Sequence, residues 1–134
     1  MLVRSDLAQD LAGQPEVLVA AKHLLPLPGV AVADNMDAVT YVHIMFGQHE
    51  VVFSDGLATE SFYTGDQAMA ALAPAARAEI KAIFPELQSA DFRKTPSARP
   101  FLDGEQGVML AKAHKSANVR CWRTLAKIKQ NNLV

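Results

Sequence analysis

Four histidines and a single cysteine are the residues through which this chain could carry acid–base or nucleophilic chemistry near neutral pH. His49 follows Gly47-Gln48 and opens the run Glu50-Val-Val-Phe-Ser54. At a strand start the backbone can hold a side chain that stays reachable, which suits a general acid or base. His43 lies within Val39-Thr-Tyr-Val-His-Ile-Met-Phe46, between apolar neighbours, where an imidazole is more often a satisfied core or edge side chain. Cys121 stands near Arg120 and Arg123, which would favour its thiolate. It also falls on the apolar face of a helical pattern beside Trp122, and a small buried hydrophobe is the plainer reading. No two histidines stand four apart, and there is no His-Glu-x-x-His pair, Gly-rich phosphate loop or Gly-x-Ser-x-Gly elbow. No metal and no cofactor is expected.

The elements that must position these residues are legible in part. The run Glu16–Leu25 is apolar on both faces and bounded by Gly13-Gln14-Pro15 and by Pro26, Pro28 and Gly29. It reads as a buried strand, with a short helix around Ala20–Leu24 as the alternative. Val39–Phe46 is β-branched and aromatic, Glu50–Ser54 resumes the strand pattern, and Asp55-Gly56 is a strong two-residue hairpin turn. With Leu57–Phe62 returning, the reading is an antiparallel meander of three strands. Asp66 is expected to cap a short helix through Leu72. Pro74 suits a first helical turn, Ala76, Ile80, Ile83 and Phe84 share one face, and Pro85 ends that helix. Ser89–Pro100 reads as a connection, and further helices are expected at about Glu105–Ser116 and Val119–Gln130. The fold class is therefore α+β: an antiparallel β-meander followed by C-terminal helices, with a β module over residues 1–65 and a helical extension over 66–134 packed on it.

Composition narrows the function classes. In 134 residues, half apolar and a fifth charged, there is room for about one domain. One cysteine excludes an internal disulfide and a Cys-rich zinc site. No window approaches the roughly 18 apolar residues of a membrane span, and the N-terminus has no signal-like apolar region. The chain is expected to be soluble and cytoplasmic, with no membrane partner. Its net charge of −1 is uneven: residues 1–107 hold all 14 acidic and seven basic side chains, for −7, and residues 108–134 hold six basic ones, for +6. A basic helix folding back on an acidic body is the plain reading, and a nucleic-acid footprint the sharper one.

The stretch Ala38-Val-Thr-Tyr-Val-His-Ile-Met-Phe-Gly-Gln-His-Glu-Val-Val-Phe-Ser-Asp-Gly-Leu-Ala-Thr-Glu-Ser-Phe62 resembles the C-terminal part of Hint domains, the hedgehog/intein autoprocessing fold, in its bacterial type. Glu16–Leu24 is similar to an earlier strand of that type, Pro74–Leu87 to a helix ending in Phe-Pro-Glu-Leu, and Ser97–Leu102 to a segment beyond it. The likeness runs over residues 1–116. The resemblance implies that Tyr41 and His43 lie in the strand completing the active-site sheet and that His49 opens the next strand. His49 and His43 are thus catalytic candidates in supporting roles. Members of the family carry a Cys or Ser nucleophile at the start of the domain and often a downstream Ser-Pro-x-His. Here Met1-Leu-Val-Arg-Ser5 is similar to the residues just after that His. Ser5 is no substitute, because nothing in the sequence places a base beside it.

Three readings follow. The first is a C-terminal piece or shortened relative of a Hint-type domain, not competent for self-cleavage alone, with an upstream Hint half as a partner. The second is an interaction module using the basic C-terminal helix. The third is an enzyme whose site the sequence does not display. Strand edges left by a shortened β-fold, or the C-terminal helix, are expected to make the chain a homo-oligomer, with nucleic acid disfavoured.

Overall fold

Ser5 starts the first helix. Its hydroxyl accepts the Ala8 amide at 3.1 Å, which satisfies one of the orphan donors of the first turn. A computed structural model describes residues 1–34, 38, 42–88 and 96–119. The chain divides into two compact units, one of Met1–Val42, Val51–Glu60 and Arg99–Val134, the other of His43–Glu50 and Ser61–Ala98.

In the first unit, β1 (Leu2–Arg4) leads into α1 (Asp6–Ala12) and returns as β2 (Glu16–Leu18), paired antiparallel with Val3 opposite Val17. Helix α1 ends at Gly13, whose left-handed backbone lets its N–H reach Gln9 O at 2.9 Å. Met1 and Val19 extend the ladder by two bonds of 2.8 Å. Burial holds the Met1 α-amino group below its ordinary pKa, against the opposing pull of Glu60. On its other side β2 takes Pro100–Leu102: Leu18 N–H donates to Pro100 O, and Leu102 N–H to Leu18 O. Glu16 closes this edge, pairing with Arg4 at 3.2 Å and Arg99 at 2.6 Å.

The run read as one buried strand over Glu16–Leu25 is a strand only to Leu18. Ala21–Leu24 forms a 3-10 turn, where the helical alternative had been placed. Val17, Val19 and Leu24 still enter the core with Val3, Ala8, Leu27 and Leu102. That core is completed by α4 (Gly104–Ala117), which matches the expected helix to within a residue at each end. Asp103 and Gln106 make a reciprocal capping box, and Gly107, Leu110, Ala111 and His114 form the buried stripe. Gly107 permits the close approach, since a Cβ there would lie 3.0 Å from Val19 Cγ1.

The hairpin of β3 (Val51–Ser54) and β4 (Leu57–Glu60) turns at Asp55-Gly56, with φ of 50° and 78°. Two consecutive positive values are what a tight, twist-matched turn requires, and they set Ser54 opposite Leu57. The third strand of the expected meander is not formed over its described residues, 42–46. Within this stretch Ile44 O accepts one ladder-like bond, from Phe62 N–H at 2.7 Å, while Val42, Ile44 and Phe46 are 82%, 57% and 45% exposed. Strand propensity reflects packing on a pleated surface, and these side chains have no such surface beneath them.

In the second unit, Glu50 and Ser61 face each other: Ser61 N–H donates to Glu50 O, and Ser61 Oγ accepts from Glu50 N–H, both at 2.9 Å. Helix α2 (Asp66–Ala71) begins one residue earlier in its capping than expected. Gly65 is the N-cap and Asp66 the first helical residue, so Asp66 meets the helix dipole rather than capping an amide. Helix α3 (Pro74–Ile83) starts on Pro74 as expected. Its Arg77 guanidinium donates to the carbonyls of Ala70 and Leu72 at 3.0 and 3.1 Å, closing the end of α2. The expected apolar face is only partly covered, with Ile83 62% exposed. Pro85 ends α3, and Pro85–Gln88 is a 3-10 turn.

The architecture is thus α+β, with two antiparallel two-stranded sheets and four α-helices among the described residues. No described helix is long and apolar enough to cross a membrane. Of the basic helix expected at 119–130, Val119 is non-helical and the rest, with Cys121 and Trp122, lies outside the described residues.

Candidate functional site

His49 follows the bend at Gly47-Gln48 and is 7% exposed. Its Nδ1 accepts the Ala98 amide at 3.0 Å, and its ring centroid lies 4.9 Å from that of Tyr63. A nitrogen that accepts carries no proton, so the neutral ring bears its hydrogen on Nε2. His43 is exposed, with its ring 5.0 Å from Phe62. The two candidate imidazoles therefore lean on adjacent aromatic residues, one buried and one open to solvent. Tyr41, which the resemblance places beside them, lies outside the described residues.

A different histidine makes the tighter arrangement. His114 is 1% exposed, on the stripe by which α4 enters the core. Asn118 ends α4 in the left-handed conformation, φ 51°, and folds Val119 back over the last turn. Val119 N–H donates to His114 O at 3.2 Å, and Val119 O lies 3.1 Å from His114 Nδ1. A carbonyl can only accept, so Nδ1 carries the proton and Nε2 of the neutral ring is bare. Ser5 Oγ lies 2.9 Å from that Nε2 and donates to it.

A base thus stands beside Ser5, contrary to the expectation from the sequence. Nothing local points to the pair, since its members are 109 residues apart. The usable signal was the spacing of Gly107, Leu110, Ala111 and His114, which puts His114 on the apolar face of its helix. The fourth histidine, His23, packs over the start of α4, with Nε2 3.4 Å from where a Gly104 Cβ would stand. Among the described residues, no three His, Cys, Asp or Glu side chains gather as metal ligands.

The family model described as Hint domain matches residues 1–66. No curated protein and no solved structure matches the chain. The matched residues run from β1 through the β3–β4 hairpin to the first residue of α2 and include Ser5, His43 and His49. Helices α3 and α4, with the Phe-Pro-Glu-Leu and Ser97–Leu102 segments, lie beyond the match.

Proposed function

We propose, from the premise that residues 1–66 are a segment of a Hint-type domain, that this chain is the supporting part of an autoprocessing domain and does not cleave itself alone. Autoprocessing by an acyl shift needs a nucleophile at the scissile amide, a group that polarises that amide and a stabilised oxyanion. The observation that carries the reading is the composition of the matched segment. It holds no cysteine, since the only one is Cys121, and no Ser-Pro-x-His motif. What it does hold suits a supporting role. His49 is buried with its Nδ1 accepting the Ala98 amide, and the neighbouring Glu50 N–H donates to Ser61 Oγ.

The test is a reporter fused ahead of Met1 and incubated with dithiothreitol or hydroxylamine. The expected gel shows an intact fusion. Placing a Hint-type segment with a Cys nucleophile and a Ser-Pro-x-His motif between reporter and Met1 should restore thiol-dependent release. Release from the plain fusion, or no release from the completed one when folded, would overturn the reading.

A further inference from the structure

We propose that Ser5 and His114 form a nucleophile–base pair that accepts an acyl group from an activated carboxylic ester. The arrangement supplies a nucleophile, a base and a group that orients the base. Ser5 is partly exposed and its Oγ lies 2.9 Å from His114 Nε2, within proton-transfer distance. His114 is 1% exposed, so the base is screened from water. Val119 O at 3.1 Å holds the Nδ1 proton and keeps Nε2 bare, the positioning role that a carboxylate fills in other such arrays.

The capping bond does not compete with this role. The hydroxyl oxygen has two lone pairs: one takes the Ala8 amide, and the other remains for attack. In the reaction, Ser5 Oγ bonds to the ester carbonyl carbon as its proton passes to His114 Nε2. The carbon–alkoxide bond then breaks and the alkoxide leaves as an alcohol with that proton. Water completes the cycle by the reverse route, giving up a proton to Nε2, releasing the carboxylic acid and restoring the Ser5 hydroxyl. The donor is an external molecule. The Arg4–Ser5 amide is tied into the sheet, with Ser5 N–H on Pro15 O at 3.0 Å and Arg4 opposite Glu16. Reporter release and Ser5 acylation are thus separate readouts, and failure of either leaves the other standing.

A fluorophosphonate probe tests the pair on the full chain. The Oγ–P bond forms, fluoride leaves, and the proton is lost through His114. Intact mass and peptide mapping should find one adduct, on Ser5, formed at least roughly 100-fold faster in the folded chain than in urea. Ser5→Asn, which keeps an N-capping acceptor, should abolish the adduct. His114→Gln should slow it about 100-fold while the far-ultraviolet dichroism is retained. Labelling no faster in the folded chain than in urea, labelling elsewhere, or full labelling in folded His114→Gln would overturn the proposal. Should His114→Gln not fold, the folded-against-urea comparison of the natural chain decides alone.

Discussion

Ser5 makes five hydrogen bonds with three atoms. Its carbonyl receives the Ala8 and Gln9 amides, its N–H goes to Pro15, its Oγ accepts from Ala8, and its hydroxyl proton goes to His114. Removing the hydroxyl strips the cap of α1 and leaves a buried imidazole nitrogen without its donor. Ser5→Ala should lower stability by about 1–3 kcal/mol. The check is the urea midpoint at unchanged slope, and Ser5→Asn should recover the capping share. An unshifted midpoint for Ser5→Ala would show that His114 Nε2 finds another donor. His43 and His49 illustrate the same point from the other side. The strand pattern predicts a reachable His49 and a core or edge His43, whereas the His43 ring is exposed and His49 is buried with its Nδ1 accepting the Ala98 amide.

Among the elements, the β3–β4 hairpin rests on its turn. At φ 78° Gly56 occupies a region that β-branched side chains avoid, so Gly56→Val should destabilise by about 1–3 kcal/mol. Loss of the hairpin would show as collapsed amide protection at Val51–Ser54, with β1–β2 unaffected, and an unmoved melting midpoint would count against the turn's importance. Helix α3 behaves as its punctuation dictates, from Pro74 to the stop before Pro85, because these effects need only the local backbone. Its expected apolar face was read correctly as a stripe but not as a buried one. Burial depends on what lies opposite, and Ile83 meets solvent.

At the scale of the whole molecule, the core under the segment that matches the Hint-domain model is finished by a helix outside it. Leu110 and Ala111 of α4 pack with Val3, Ala8 and Val17. A chain ending at Asp103 should therefore lose cooperative unfolding, since exposing that core forfeits several large-to-small equivalents at roughly 2–5 kcal/mol each. A chain ending at Ala117 should be weakened relative to one ending at Val119 through loss of the Asn118 cap and the Val119 carbonyl, read from the urea midpoint. An equal loss on removing residues 120–134 alone would instead credit a docked basic stretch, the expectation from the charge split.

What the sequence by itself determined were features whose interactions close within a few residues. The Asp55-Gly56 turn, the Pro74 start, the Pro85 stop and α4 itself are of this kind. The α+β class and the likeness to a Hint domain were also legible there. Tertiary structure decided what depends on a distant partner. The run from Glu16 splits because β2 needs β1 and Pro100–Leu102 beside it, and both end at Leu18 or soon after. Val42–Phe46, apolar and β-branched, forms no described strand because one bond to Phe62 does not make a ladder. Ser5 acquires a base only because α4 buries its Gly107–His114 stripe against the core and an Asn118 turn presents Val119 O to the ring. Propensity and capping are short-range energies, whereas the protonation pattern of a buried histidine is set by whichever donor and acceptor folding brings to its two nitrogens.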